Sequence, residues 1–297
     1  MRRLSPALFD FDQEDASMTR FFPAQSSILD AAALAARILP LYDLPPPLSC
    51  RLLQAGDNDT YLVHAGGPTS PERRRYALRV YRHAKHSARE IQGEVDVLAL
   101  MARSGIAVAP AIAQRDGSCI GELNAPEGTR YAVLFAFAGG ALAGFDMTPE
   151  QSHRYGQQVA RLHAVVDAAP ETFPRPSIDL SFLLDRPLDR LSQSFPHRQG
   201  EVSAVRSLAR HLRKTLEALP ATAPQFGLCH GDLHKRNVLF DERNEPIILD
   251  WDCAGYGWRA YDVAVLLWST ALQGLGTALW DAYLAGYQEP QGHQGYP

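Results

Sequence analysis

LCHGDLHKRNVLFDERNEPIILDWD, residues 228–252, holds two short apolar runs, 237–240 and 246–250, joined by the turn-forming DERNE. That pattern predicts a small β-hairpin. His230, Asp232 and Asn237 come before its first strand, and Asp250 and Asp252 end its second. Polar groups from both ends of such a hairpin can face one cleft. Oxygen donors such as an Asp carboxylate and an Asn amide suit Mg²⁺, which takes one or two protein carboxylates and fills its shell with phosphate oxygens and water. A further Asp nearby can accept the proton of an attacking hydroxyl, and phosphoryl transfer asks for little more than such positioning and charge neutralisation. The same residue types also serve as turn and cap residues. A zinc-type nest of Cys229, His230, Asp232 and His234 is the other metal reading. Gly231 breaks any helix that would align the two histidines, and no second cysteine pair follows.

The octapeptide HGDLHKRN (230–237) resembles the H-G-D-x-x-x-x-N loop of the aminoglycoside phosphotransferase/choline kinase-like family, relatives of the protein kinases. ILDWDCAGYGWRAYDVA (248–264) is similar to that family's next aspartate-containing segment, in the same order and at about the same spacing. The resemblance implies Asp232 as catalytic base, Asn237 and Asp250 as Mg²⁺ ligands, His230 as a brace of the loop and Asp262 as its anchor at a helix start. It extends over most of the chain. LLQAGDNDTYLVH (52–64) takes the place of the hairpin that covers the nucleotide, with Asp57 and Asn58 at its turn. YALRVYR (76–82) resembles the third strand, Glu94 lies on the following helix, and LFAFAGG (134–140), with Phe135 and Phe137, resembles the hinge beside the adenine. One position departs: the third strand carries Arg79 where many relatives have lysine, and the chain's lysines are Lys85, Lys214 and Lys235. An arginine fork still pairs with phosphate and with Glu94, but not as an ammonium point charge does. The resemblance as a whole implies an ATP-dependent kinase (GTP not excluded) using Mg²⁺ and a small-molecule hydroxyl acceptor. A nucleotide-binding regulatory member without turnover and a Ser/Thr protein kinase of the same fold are the alternatives. Asp252 stays open between metal contact and cap.

Outward from this segment, the periods agree with an α+β protein of two lobes, a small antiparallel β lobe with one helix and a larger, mainly helical one. Short β-type runs fall at 49–54, 60–64, 76–81, 111–114, 119–123 and 130–137. Between the third and fourth, residues 87–103 place Ile91, Val95, Leu98 and Met101 at helical spacing behind a Ser87/Glu90 capping box. His83 and His86 read as exposed residues before that helix. Helical patterns occur at 148–166, 201–219 and 261–283, the last interrupted near Gly274. The expected division is 1–47 as an extension with a helix at 27–39, 48–138 as nucleotide-binding lobe, 139–285 as catalytic lobe and 286–297 as a disordered tail. GYQEPQGHQGYP at the end is too rich in Gly, Gln and Pro to continue a packed helix. That predicts an open acceptor face with the 268–283 segment exposed or covered by a second subunit in a homodimer, or by the 27–39 helix folding back.

Composition bounds the rest. With 46% hydrophobic residues the chain can bury a full core, and a formal charge of −4 gives no footprint for nucleic acid. The longest uncharged apolar run, 131–145, contains Gly139, Gly140 and Gly144 and falls short of a bilayer span. Four widely spaced cysteines form neither a CxxC pair nor a disulfide framework. A cytoplasmic protein that binds no membrane is expected. The aromatics Trp251, Tyr256, Trp258, Trp268 and Trp280 leave a cation–π box for a quaternary amine open beside the ordinary core reading.

Overall fold

A computed structural model describes residues 24–71 and 73–289. The β lobe is one antiparallel sheet of β1 (Leu48–Gln54), β2 (Asp59–Ala65), β3 (Arg74–Val80), β4 (Ile120–Ala125) and β5 (Gly128–Ala136), in the order β1-β2-β3-β5-β4. Strand alternation gives it two apolar faces. Tyr61, Val63, Leu78, Val80 and Leu134 point one way and pack on α1 (Ala31–Arg37) and the turn after it through Leu34, Leu39 and Tyr42. Ala77, Arg79 and Phe135 face the other way, into the cleft between the lobes. The first helix is shorter than the 27–39 pattern suggests. Asp30 caps it by accepting from the Ala33 N–H at 2.7 Å, and Ser27 is held outside it by the Glu127 carboxylate. The 27–39 segment therefore covers the β lobe rather than the helical one, as an integral part of the sheet's packing.

Helix α2 (Ala88–Arg103) follows β3, with the Ser87/Glu90 capping box formed as expected and Ile91, Val95, Leu98 and Met101 buried. Residues 111–114 do not form a sixth strand. They meet the end of β5 through Ile112 N–H to the Leu134 carbonyl and Ala136 N–H to the Pro110 carbonyl, then turn away, with Gln114 N–H donating to the Ser118 carbonyl, because β4 occupies the rest of that edge.

The second lobe begins with β6 (Ala141–Leu142) and α3 (Pro149–Ala168), the latter capped by a Thr148/Gln151 box. β7 (Ser177–Ile178), α4 (Arg186–Ser194), α5 (Gln199–Glu217) and β8 (Phe226–Cys229) come next. The expected hairpin is β9 (Val238–Phe240) paired with β10 (Pro246–Ile248). β11 (Gly255–Trp258), α6 (Arg259–Ala271) and α7 (Ala278–Gln288) complete the lobe. The short strands make two three-stranded sheets, β10-β9-β6 and β7-β11-β8. One continuous core joins the lobes, running from Ile91, Val95 and Leu98 of α2 through Tyr155 and Leu162 of α3 to Ile248, Leu266 and Tyr283.

The break expected at Gly286 is absent, since α7 continues through it to Gln288; residues 290–297 lie outside the described residues. Glycine is there for contact. A Cβ on Gly286 would run into the His153 carbonyl, and one on Gly156 into the Tyr283 carbonyl, so α3 and α7 touch backbone to backbone. That contact also corrects the exposure expected for 268–283. Trp268 and Leu272 are exposed, at 60% and 70%, while Leu279 and Tyr283 are buried. Gly156→Ala and Gly286→Ala should each destabilise the chain by about 1–3 kcal/mol, the usual cost of overpacking. The measurement is the urea midpoint, and unchanged midpoints in both variants would contradict the close helix contact.

Candidate active site

Strand β8 delivers the chain to His230, which is fully buried and takes the centre of the site. Its Nε2–H donates to the Leu249 carbonyl at 2.9 Å, and its Nδ1 accepts the Asp232 N–H at 3.2 Å. Only a neutral imidazole does both. Burial holds His230 below its usual pKa, against the pull of Asp262. The ring packs edge-on to Trp251, with centroids 4.8 Å apart. Gly231 has φ +85°, and any side chain there would strike the Cys253 carbonyl. Asp262, in the first turn of α6, accepts the N–H groups of His230 and Gly231, each at 2.7 Å. Its other partner is His163 Nε2 at 3.0 Å, while His163 Nδ1 meets the Tyr287 hydroxyl at 2.9 Å. Burial opposes ionisation of Asp262, but the His163 hydrogen bond and the other donors outweigh it and hold its carboxyl below the usual range.

So braced, the loop sets Asp232 beside Asn237. The Asn237 amide Nδ2 donates to both the carbonyl (3.0 Å) and the carboxylate (2.9 Å) of Asp232, which leaves the amide oxygen as the end a cation would take. The Leu249 N–H donates to the Asn237 carbonyl at 2.8 Å, fixing Asn237 to the segment that ends at Asp250. Asp250 has φ +63°, a left-handed backbone that Asp tolerates better than most residues. Arg79 reaches it across the cleft. One guanidinium nitrogen lies 2.9 Å from Glu94 and another 2.8 Å from Asp250. Glu94 is 1% exposed and also accepts the Tyr81 hydroxyl at 2.9 Å. Burial raises the Glu94 pKa while Arg79 lowers it, with a net rise.

A cleft of about 370 Å³ opens from this pair toward the end of β5, walled by Leu53, Ala77, Phe135, Phe137, Leu239 and Ile248. Arg79, Glu94, Asn237 and Asp250 line its polar end. An adjoining cavity of about 200 Å³ is lined by Asp57, Asn58, Asp232, Asp250 and Asp252 together with Lys85. The expected site residues thus gather in one region, with His230 and Asp262 behind it as supports. Asn237 and Asp250 form an all-oxygen donor pair fixed to one segment, which fits a hard divalent cation whose remaining ligands are phosphates and water. Zinc is not favoured: the Cys229 thiol faces the Gly227 and Gly257 carbonyls, away from the histidines. Nor do the aromatics converge on a box, since Trp258 packs on Phe226, Trp280 on Tyr283 and Trp251 on His230.

Three participants around Asp252, namely Lys85, His86 and Arg175, carried no clear signal in the sequence. Lys85 lies 2.7 Å from Asp252, and Asn58 donates to the same carboxylate oxygen at 2.7 Å. Burial would raise the Asp252 pKa, but Arg79 and Lys85 hold it well below the carboxylate range. His86, expected to be exposed, has a side chain only 10% exposed beside Asp252. Arg175 is buried and donates to the carbonyls of Glu90 (2.7 Å) and Ala254 (2.8 Å), and to that of Asp252. Short-range patterns do not reveal such long-range partners.

Two lobes around a cleft, with a braced H-G-D loop facing an Arg–Glu pair, define a protein-kinase-like phosphotransferase. The chain belongs to the family described as APH, phosphotransferase enzyme family, which it matches over residues 50–296. It is 37% identical over 275 residues to an uncharacterized protein of Deinococcus radiodurans, covering 91% of this chain and 77% of that one. To the homoserine kinase of Methylobacillus glycogenes it is 28% identical over 252 residues, covering 82% and 73%. Among solved structures, an amicoumacin kinase in complex with AMP-PNP, Ca²⁺ and Ami superposes with a TM-score of 0.71 at 20% identity, over 88% of this chain and 78% of that one. No helix among the described residues is long and apolar enough to cross a membrane.

Two buried histidines give a prediction. His163 and His230 both have folded pKa values below 6.5, mainly through burial. The unfolded chain therefore binds more protons as pH falls, so their contribution is complete above pH ~6.5 and is lost progressively below it. Glu94, raised by burial, opposes this with one proton against two. The urea midpoint should be level from pH 7 to 8 and fall between pH 6.5 and 5; a level midpoint down to pH 5 would contradict the neutral, buried assignment.

Proposed function

We propose that this chain transfers the γ-phosphoryl group of ATP to a hydroxyl of a small molecule. The observation that carries the reading is the convergence of Asn237 and Asp250 at the polar end of the cleft with Asp232 and Asp250 in the cavity adjoining it. Asp232 is held by hydrogen bonds from the Asn237 amide, and His230 links its backbone to the residue before Asp250. In this reading the apolar part of the cleft takes the adenine, against Phe135 and the segment that follows β5.

Asp232 accepts the proton of the acceptor hydroxyl as its oxygen forms the new O–P bond, and the bond from the γ-phosphorus to the β–γ bridging oxygen breaks to release ADP. Asn237 and Asp250 would hold Mg²⁺, which when bound neutralises charge on the phosphate oxygens. Arg79 holds Glu94 and Asp250 in line across the cleft, at the strand position where many relatives carry lysine. The Asn58 turn lies over the phosphate end, tied to Asp252. A small-molecule acceptor is favoured over a protein by the homoserine kinase and amicoumacin kinase among the similar proteins, both named for small substrates.

A thermal-shift series with ATP, with and without Mg²⁺, followed by phosphorylation of a metabolite extract, tests the reading. Asp232→Asn should lower turnover by about 10²- to 10⁴-fold, the usual share of general base catalysis, and leave Mg-ATP affinity within a few-fold. Near-normal turnover would remove Asp232 from the role. Asp250→Ala should abolish the Mg²⁺-dependent part of the thermal shift with ATP, and a shift that survives would refute the metal assignment.

A further inference from the structure

The smaller cavity raises a problem of charge. Its lining carries four carboxylates, Asp57, Asp232, Asp250 and Asp252, against two cations, Arg79 and Lys85. A polyphosphate entering there meets a surplus of negative charge, so each cation able to turn toward it matters. Arg79 is already committed. Its guanidinium spans Glu94 and Asp250, and its carbon lies over the rings of Phe135 and Tyr81 at 5.3 and 5.8 Å.

Lys85 stands differently. It lies between β3 and α2, outside the strand that carries Arg79, and its ammonium has three donors. One anchors to Asp252, whose side chain is 6% exposed, at 2.7 Å. Another makes a longer contact, 3.3 Å, to Asp57, whose side chain is 75% exposed. An exposed pair of that kind contributes little and is readily exchanged. The anchor is stiffened from both sides, by Asn58 donating to the same Asp252 oxygen and by Arg175 donating to the Asp252 carbonyl. Although burial favours the neutral amine, the Asp252 hydrogen bond and charge outweigh it, so Lys85 stays protonated.

We infer that Lys85 is a phosphate-binding residue of this enzyme: held by Asp252, it exchanges its contact with Asp57 for the terminal phosphate oxygens of the bound nucleotide. It thereby supplies from the loop the ammonium charge that the third strand, with Arg79, lacks. Asp252 is then the seat of this lysine, which gives the second aspartate of the D-W-D segment a task apart from metal binding. The inference rests on the cleft being the nucleotide site.

The test is the dependence of affinity on phosphate number, measured by titration calorimetry with ATP, ADP and AMP in the presence of Mg²⁺. Lys85→Met should weaken ATP by roughly tenfold or more, as loss of a hydrogen bond to a charged group does, and leave AMP within about twofold. Lys85→Arg should recover part of the ATP affinity. Equal weakening of all three nucleotides, or no change in any, would overturn the role, since a merely structural lysine does not sense phosphate number. If Lys85→Met is too unstable to titrate because Asp252 loses its partner, the comparison is made between Asp252→Asn and the double variant Lys85→Met/Asp252→Asn. The same loss of ATP over AMP is expected there, and its absence counts against the role equally. Wild-type protein that fails to bind ATP would overturn both this inference and the function proposed above. Wild-type binding with an unchanged ATP-to-AMP ratio in the variants would overturn this one alone.

Discussion

A single neutral imidazole holds the two halves of the site in register. His230 accepts from the Asp232 backbone at one nitrogen and donates to the Leu249 carbonyl at the other. The loop that carries Asp232 and Asn237 is thereby fixed to the segment that carries Asp250, which lies thirteen or more residues further along the chain. Protonation would replace the Nδ1 lone pair with a second donor facing an N–H, so the brace works only while the ring is neutral. The surroundings secure this. The ring is fully buried against Trp251, and Asp262 engages the backbone N–H of His230 rather than its ring. The negative charge of Asp262 is used on the backbone of the loop and on His163, which in turn reaches Tyr287 in α7. Packing of α7 on α3 is in this way connected to the geometry of the loop, through hydrogen bonds of 2.7 to 3.0 Å.

The other side of the cleft is organised by charge. Glu94 is buried and would be costly to ionise alone, and Arg79 is the cation that offsets it. Because that same guanidinium also reaches Asp250, the β lobe and the helical lobe share one ion-pair chain across the cleft. Asp252 with Asn58 and Lys85 makes a second cross-lobe link at the turn between β1 and β2. These two links bridge the lobes at the polar end of the cleft, and Phe137 and Leu239 line its apolar part.

Much of this was legible in the sequence where the signal is local. The Ser87/Glu90 box, the 3.6-residue stripe of α2 and the helical pattern at 148–166 appear as expected, because capping and periodicity depend on neighbours in the chain. The H-G-D-x-x-x-x-N loop and the aspartates after it come together around two adjoining cavities, because the hairpin between them returns the chain to its start. The strands β6, β7 and β11 were not legible: they run only two to four residues, and Gly255 and Gly257 serve a long-range contact, where the backbone must approach Ile178. Gly286 misled for a related reason, being a contact glycine between helices rather than a helix terminator. Lys85, Arg175 and His163 escaped because each acts on a partner roughly eighty to 170 residues away, and composition carries no such information.

The central claim, that a neutral His230 joins Asp232 to the Asp250 segment, is most directly tested by ¹⁵N NMR of the histidine side chains across a pH titration. The account predicts that His230 shows a protonated Nε2 and an unprotonated Nδ1, and that the ring takes up its proton only below the ordinary histidine range. A His230 ring with the proton on Nδ1, or one that titrates near 6.5 like an exposed histidine, would contradict it.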